Sequence, residues 1–153
     1  RTTGSFYHHF RDQADFLDQM LRHWQNRHTE AVIADVTRHS DPQDHAKALS
    51  KTARGLDQSV EVAVRLLAQQ NQAAATVLAE VDQQRLGHLS TLYQQTTGLP
   101  APQATPLAEL EYAAFVGAQM LWQNRDAARS KRLESLFQDL LRSHLKRQKD
   151  GPR

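Results

Sequence analysis

β-Branched residues, which suit the half-buried surface of a pleated sheet, are scarce in this chain. Valine and isoleucine together supply only nine of 153 residues, whereas alanine, leucine and glutamine supply 20, 19 and 17. These last three are strong helix formers, and the six glycines and five prolines gather at a few places. We therefore predict an all-α protein, a helical bundle of about six to seven helices.

The composition also excludes several classes of protein. The absence of cysteine excludes a disulfide scaffold, a thiolate metal site and a cysteine nucleophile, and it suits a reducing cytoplasm, where we expect the protein to reside. No apolar run approaches the roughly 18–20 residues that span a bilayer, so we expect no membrane association. A net charge of +2 is too small to mark the whole chain as a nucleic-acid binder.

Breakers and capping residues divide the chain into helices. Apolar residues recur at three- and four-residue steps, as they do along one face of a helix. Three prolines in the stretch 98–106 predict a loop there. The expected helices run from Asp12 to about Arg38, from Pro42 to Gly55, from Leu56 to about Gln70, from the Asn71 cap to Thr97, from Leu107 to about Gln123, and from Asp126 to about Lys146.

The first ten residues carry a motif. The stretch Thr2-Thr3-Gly4-Ser5-Phe6-Tyr7-His8-His9-Phe10 resembles the end of the recognition helix in the TetR family of transcriptional regulators. Further along, Ala63-Val64-Arg65-Leu66-Leu67-Ala68 and Val81-Asp82-Gln83-Gln84-Arg85-Leu86 are similar to a pattern of many effector domains in that family, with Leu67 in place of a common Trp.

The resemblance implies a division of the chain into two parts. Residues 1–11 would be the end of a truncated helix-turn-helix domain whose first two helices are absent from this sequence, and residues 12–153 a ligand-binding and dimerisation domain. Short polar side chains, Tyr and His on one face can hydrogen-bond to phosphates and base edges. The predicted DNA-binding residues are Thr2, Thr3, Gly4, Ser5, Tyr7, His8 and Arg11.

Polar and aromatic residues interrupt the apolar stripes of the middle helices. They are either core residues with polar ends at the rim or the lining of an effector cavity, the kind of site that the resemblance places there. The candidate lining residues are Trp24, His28, Leu66, Arg85, Leu89, Tyr93, Tyr112, Phe115 and Gln119. Arg85 would anchor an anionic ligand, and its pairing with Asp82 is the alternative.

The last two helices carry more apolar surface than a small core needs. The stretch 113–122 is apolar nearly all round, and leucines form a wide stripe on the final helix. We expect a two-fold homodimer packed as a four-helix bundle. The predicted interface residues are Gly117, Met120, Leu121, Leu133, Leu136, Phe137, Leu140 and Leu141.

Taken together, these patterns predict a ligand-responsive transcriptional regulator, most simply a repressor, that binds operator DNA as a homodimer and responds to a small molecule. The alternative is a helical protein-interaction adaptor that binds no DNA. We expect no enzyme, because no catalytic motif, metal-binding spacing or phosphate loop occurs. We likewise expect no cofactor and no metal.

Overall fold

A computed structural model of the chain describes residues 10–122 and 126–150, without the side chains of Ala127 and residues 148–150. This part of the chain is helical and contains no strand, which confirms the predicted all-α class. The helices are α1 (Gln13–Gln25), a π-helical turn (Asn26–Glu30), α2 (Ala31–Val36), α3 (Pro42–Gly55), α4 (Gln58–Ala68), α5 (Gln72–Thr97), α6 (Ala101–Leu121) and α7 (Ala127–Asp150).

Helix N-termini follow the capping residues in the sequence. The Asp12 carboxylate accepts a hydrogen bond from the backbone N–H of Asp15 at 2.8 Å, and the side chain of Asn71 accepts one from that of Ala74 at 3.0 Å. Asp41 does the same for the N–H groups of Gln43 and Asp44. Each cap satisfies backbone donors that the first turn of a helix leaves unpaired.

The predicted loop over residues 98–106 is wrong, because α6 already begins at Ala101. Only the turn after Gly98 is as expected, since Gly98 ends α5 in the left-handed conformation with φ of 76°. Pro102 lies in the first helical turn, where backbone N–H groups have no intrahelical partner, so it costs no hydrogen bond. Pro106 lies farther inside α6 and does remove one backbone hydrogen bond. The complete burial of Ala104 and Ala108 in the same turns offsets that loss.

Two apolar clusters hold the bundle together. The first contains Leu21, Trp24, Val64, Ala74 and Val81, and it joins α1, α4 and α5. The second contains Tyr93, Ala104 and Ala108, with Leu89, Leu107 and Leu141 packed around it, and it joins α5, α6 and α7. The long helix α5 therefore contributes to both clusters and forms the centre of the fold.

Candidate functional site

Four charged side chains and one tyrosine of the middle helices meet at one place. Arg85 of α5 pairs with Glu61 of α4, and Arg65 of α4 pairs with Asp82 of α5 and more distantly with Glu61. The Tyr112 hydroxyl on α6 bonds to both pairs. We call these five residues the buried ionic cluster.

Arg85 is fully engaged by protein groups. Its Nε donates to the Thr29 hydroxyl at 2.9 Å, and its Nη1 donates to Glu61 Oε1 at 2.6 Å and to the Tyr112 hydroxyl at 3.1 Å. Its Nη2 donates to Glu61 Oε2 at 3.2 Å and to the backbone carbonyl of His28 at 3.3 Å. A guanidinium has five N–H donors, and here five acceptors surround it.

Arg65 forms the second half of the cluster. Its Nη1 and Nη2 donate to the two carboxylate oxygens of Asp82 at 3.0 and 2.7 Å, and Nη2 also reaches the Tyr112 hydroxyl at 3.0 Å. That hydroxyl in turn donates to Asp82 Oδ1 at 2.7 Å. Two guanidinium groups therefore face two carboxylates, and the formal charges cancel. The buried Nε of Arg65 has no hydrogen-bond partner.

The environment fixes the charge states of the cluster. Burial disfavours the charged form of both arginines, but the hydrogen bonds and charges of Asp82 and Glu61 outweigh it and raise the pKa of Arg65 and of Arg85. Burial is also the main cause that raises the pKa of the Tyr112 hydroxyl to about 12. Both arginines are therefore charged at neutral pH, and Tyr112 is protonated.

The π-helical turn brings two groups of the first helix to this cluster. The N–H of Ala31 bonds to the carbonyl of Asn26, the five-residue spacing that defines such a turn. The wider turn buries both His28 and Thr29, and it aims the His28 carbonyl and the Thr29 hydroxyl at Arg85. Trp24 lies one turn earlier, with the Arg85 guanidinium carbon 5.6 Å from its ring centroid.

The structure therefore gathers four of the nine predicted ligand-binding residues, Trp24, His28, Arg85 and Tyr112. The other five lie elsewhere. Leu89 and Tyr93 belong to the second apolar cluster, and the Tyr93 hydroxyl donates to Glu111. The side chain of Gln119 donates to Gln58, Leu66 is 49% exposed, and Phe115 is partly buried on α6. The alternative of an Arg85–Asp82 pair is not what forms, since Asp82 pairs with Arg65.

An open groove of about 610 Å³ does exist between α5 and α6. It is lined by Ala79, Asp82, Gln83, Leu86, Gly87, Ser90, Thr105 and Glu109. None of the predicted ligand-binding residues lines it, so the predicted effector cavity stays a prediction.

Of the predicted DNA-binding residues, Thr2, Thr3, Gly4, Ser5, Tyr7 and His8 lie outside the described residues. Arg11 precedes the cap of α1 and is largely exposed, and its Nη2 donates to Asp15 Oδ1 at 3.0 Å. Hydrogen bonds from the backbone N–H and the side chain of Arg11 lower the pKa of Asp15 to about 2.

Half of the eight predicted dimer-interface residues are exposed in the single chain. Leu121, Leu133, Leu136 and Leu140 are exposed, at 72, 41, 55 and 59%. Gly117, Met120, Phe137 and Leu141 are partly buried.

The sequence interpretation missed one pair of residues, His45 and His88. Their Nε2 atoms lie 3.0 Å apart, on α3 and α5, and burial is the main cause that lowers the pKa of each imidazole. The two residues are 43 positions apart in the chain, so no local spacing could have revealed their proximity.

Comparison of the chain with protein-family models, with curated proteins and with solved structures finds no match in any of the three. Within the described ranges, no helix is both long and apolar enough to cross a bilayer. The same part of the chain holds no group of three or more histidine, aspartate or glutamate side chains arranged for a metal ion.

Proposed function

We propose that this protein is a cytoplasmic, ligand-responsive transcriptional regulator that binds operator DNA as a homodimer. The observation that carries the proposal is the combination of a TetR-like recognition motif at residues 2–10 with an uncovered apolar face on α6 and α7. Two DNA-reading segments related by a two-fold axis match the symmetry of a palindromic operator. A dimer formed by the last two helices would supply that axis.

The uncovered face begins on α6. Leu110, Ala114, Gly117 and Leu121 follow one another at steps of four, three and four residues, so they form one narrow stripe along the helix. The outer leucines are 60 and 72% exposed. Ala114 is exposed as well, and a Cβ atom added to Gly117 would meet nothing within 4 Å. Small residues between two large ones favour close approach of another helix.

Exposed apolar residues also lie on α7, which carries two apolar stripes. Phe137, Leu141 and Leu145 are partly buried and lie on one side, where Leu141 packs against the second apolar cluster. On that side, Glu134 accepts hydrogen bonds from Ser50 and Arg54 of α3. The second stripe, Leu133, Leu136 and Leu140, is turned by roughly 110° from the first at 100° per residue, and it remains exposed.

A second copy of this chain is the occupant that suits the face. Large exposed apolar patches mark association surfaces. Two paired helices from each copy would form a four-helix bundle with a closed two-fold interface. An obligate interface of this kind typically buries about 2,000 Å² or more.

The effector response would act through the buried ionic cluster. An anionic ligand could reach Arg85 only by taking over hydrogen bonds that Glu61 makes now. That exchange would loosen α4 from α5, and a ligand with different affinity for the two arrangements would shift the population between them. Operator affinity would change with that shift.

Arg11 gives the experiment that tests DNA binding. In the full-length protein, Arg11→Ala should reduce the salt slope of log K for duplex DNA by about 0.9, because one phosphate contact is lost. Arg22→Ala is the matched control, since Arg22 also pairs with an aspartate four residues away on the same helix, at 2.8 Å. An unchanged slope for Arg11→Ala, or an equal change in both variants, would contradict the assignment of Arg11.

The uncovered apolar face also favours a second candidate, a helical adaptor that binds another protein and no DNA. The two functions differ in what they predict for the isolated protein. A stable dimer favours the regulator. A monomer that does not bind DNA in a salt-dependent manner favours the adaptor.

A further inference from the structure

We propose that His45 and His88 form a two-imidazole binding site for a divalent transition-metal ion of the Cu²⁺ or Ni²⁺ type. This inference is independent of DNA binding and of the effector response. It rests on the position of two side chains held by different helices.

The distance between the two Nε2 atoms suits a shared metal ion. Metal–imidazole bonds measure about 2.0–2.1 Å, so two nitrogens in adjacent square-planar positions lie about 2.9 Å apart. The two Nε2 atoms lie 3.0 Å apart. A tetrahedral ion would require about 3.3 Å at the same bond length, so the present spacing favours the square-planar ions.

The two imidazole rings are not aligned head-on. The ring centroids are 5.0 Å apart and the ring planes are inclined by 43°. Rings that pointed straight at each other across a 3.0 Å contact would place their centroids farther apart, at about 5.3 Å from ordinary imidazole dimensions. The line from each ring centroid to its Nε2 atom is therefore tilted away from the other ring. A modest further rotation of the rings could direct both Nε2 lone pairs to one metal ion.

Both histidines are held by packed helices. His45 lies on α3 and is 7% exposed, and His88 is partly buried on α5. Nearby, the side chain of Gln43 donates to the Thr96 carbonyl of α5 at 3.4 Å, which adds another link between the same two helices. Two ligands fixed on packed helices lose little freedom when a metal binds. Water would complete the coordination.

Chemically, the step is simple. At present the Nε2–H of one ring donates a hydrogen bond to the Nε2 lone pair of the other, so one Nε2 carries a proton and the other a lone pair. Metal binding requires that proton to move to Nδ1 of the same neutral ring, which leaves both Nε2 lone pairs free to coordinate. No net proton is released and no redox partner is needed.

Titration of the metal-free protein with Cu²⁺ and Ni²⁺, followed by calorimetry and by electron paramagnetic resonance for Cu²⁺, tests the proposal. We expect one site with two coordinated nitrogens. His45→Ala and His88→Ala should each lower the metal affinity by at least about 10–100-fold. That is the loss found when only a residue that hydrogen-bonds to a metal ligand is removed, and here the ligand itself is removed. His88→Gln, which can still hydrogen-bond to His45, should lose the site while keeping the thermal stability of the unmodified protein in the absence of metal.

His23→Ala is the matched control, because His23 is a single exposed histidine on α1, and it should bind both ions as the unmodified protein does. Absence of binding would overturn the proposal. So would unchanged affinity and an unchanged nitrogen count in His88→Gln, since the ion would then be held by other histidines.

Discussion

Arg85, near the middle of α5, and Glu61, in the first turn of α4, form a two-point ion pair. The Nη1–Oε1 and Nη2–Oε2 distances are 2.6 and 3.2 Å, and the Glu61 side chain is 5% exposed. Glu61 Oε1 also accepts a longer hydrogen bond from Arg65, at 3.4 Å. One buried carboxylate thus serves both guanidinium groups of the cluster, so its removal leaves two buried cations with one counter-charge.

The first prediction concerns this carboxylate. Glu61→Gln should lower the free energy of unfolding by about 3–5 kcal/mol, because Arg85 keeps its charge in a buried position and loses its partner. Urea unfolding measures the change. Asp18→Asn is the control, since Asp18 pairs with Arg22 on the exposed surface and should cost only about 0–1 kcal/mol. Equal effects of the two substitutions would mean that the cluster is not a structural clamp.

The second prediction concerns Glu111, which accepts a hydrogen bond from Tyr93. Burial is the largest cause that raises the pKa of Glu111 above its ordinary value of 4.5. As pH rises, this carboxyl therefore ionises first in the unfolded chain. Its contribution to stability is fully present below about pH 4.5 and is lost as pH rises through the higher folded pKa.

Glu111→Gln should remove this pH dependence. The amide oxygen can still accept from Tyr93, so the variant should match the unmodified protein near pH 4 and be the more stable of the two at pH 8. Thermal unfolding at both values measures the difference. Glu109→Gln, at an exposed site on the same helix, should show no such gain. The assignment would be contradicted if the stability of Glu111→Gln relative to the unmodified protein were lower at pH 8 than at pH 4.

The third prediction concerns the uncovered face. Leu140→Asp should convert the proposed dimer to a folded monomer, because two carboxylates would meet near its two-fold axis without partners. Leu140 is 59% exposed in the single chain, so the protomer itself should tolerate the change. Sedimentation equilibrium at micromolar concentration gives the mass. Leu66→Asp, at a site 49% exposed on α4, should remain a dimer, whereas an unaltered mass for Leu140→Asp would place the interface elsewhere.

Local chemistry was enough to predict most of the fold. Asp12, Asp41 and Asn71 cap helices where the sequence indicates, because capping depends on a side chain and the next three residues. The extent of α6 was not predictable in this way. Its first turns are helical because Ala104 and Ala108 pack against α5 and Thr105 bonds to Ser90 at 2.8 Å, contacts that link distant positions. The π-helical turn at Asn26–Glu30 also depends on contacts between distant positions, because its Thr29 hydroxyl and His28 carbonyl accept hydrogen bonds from Arg85.

The motif residues Arg65, Asp82 and Arg85 show what a pattern can and cannot predict. The two stretches that resemble the family pattern contain all three residues, and the structure brings them into one cluster. Their partners could not be read from it, since Arg85 bonds to Glu61 rather than to Asp82 three residues away. The choice depends on the packing of α4 against α5. The apolar stripe of α7 was visible in the sequence, but its division into a covered and an uncovered side required the structure.

Selection of duplex DNA from a random library by the protein gives the sharpest test of operator binding by a homodimer. We expect enrichment of an inverted repeat whose half-sites lie about one helical turn, 10 base pairs, or a multiple of it apart. The Leu140→Asp variant should lose the preference for the paired repeat. Recovery of no sequence above the starting library, or equal enrichment of single half-sites by both proteins, would exclude DNA recognition by a dimer.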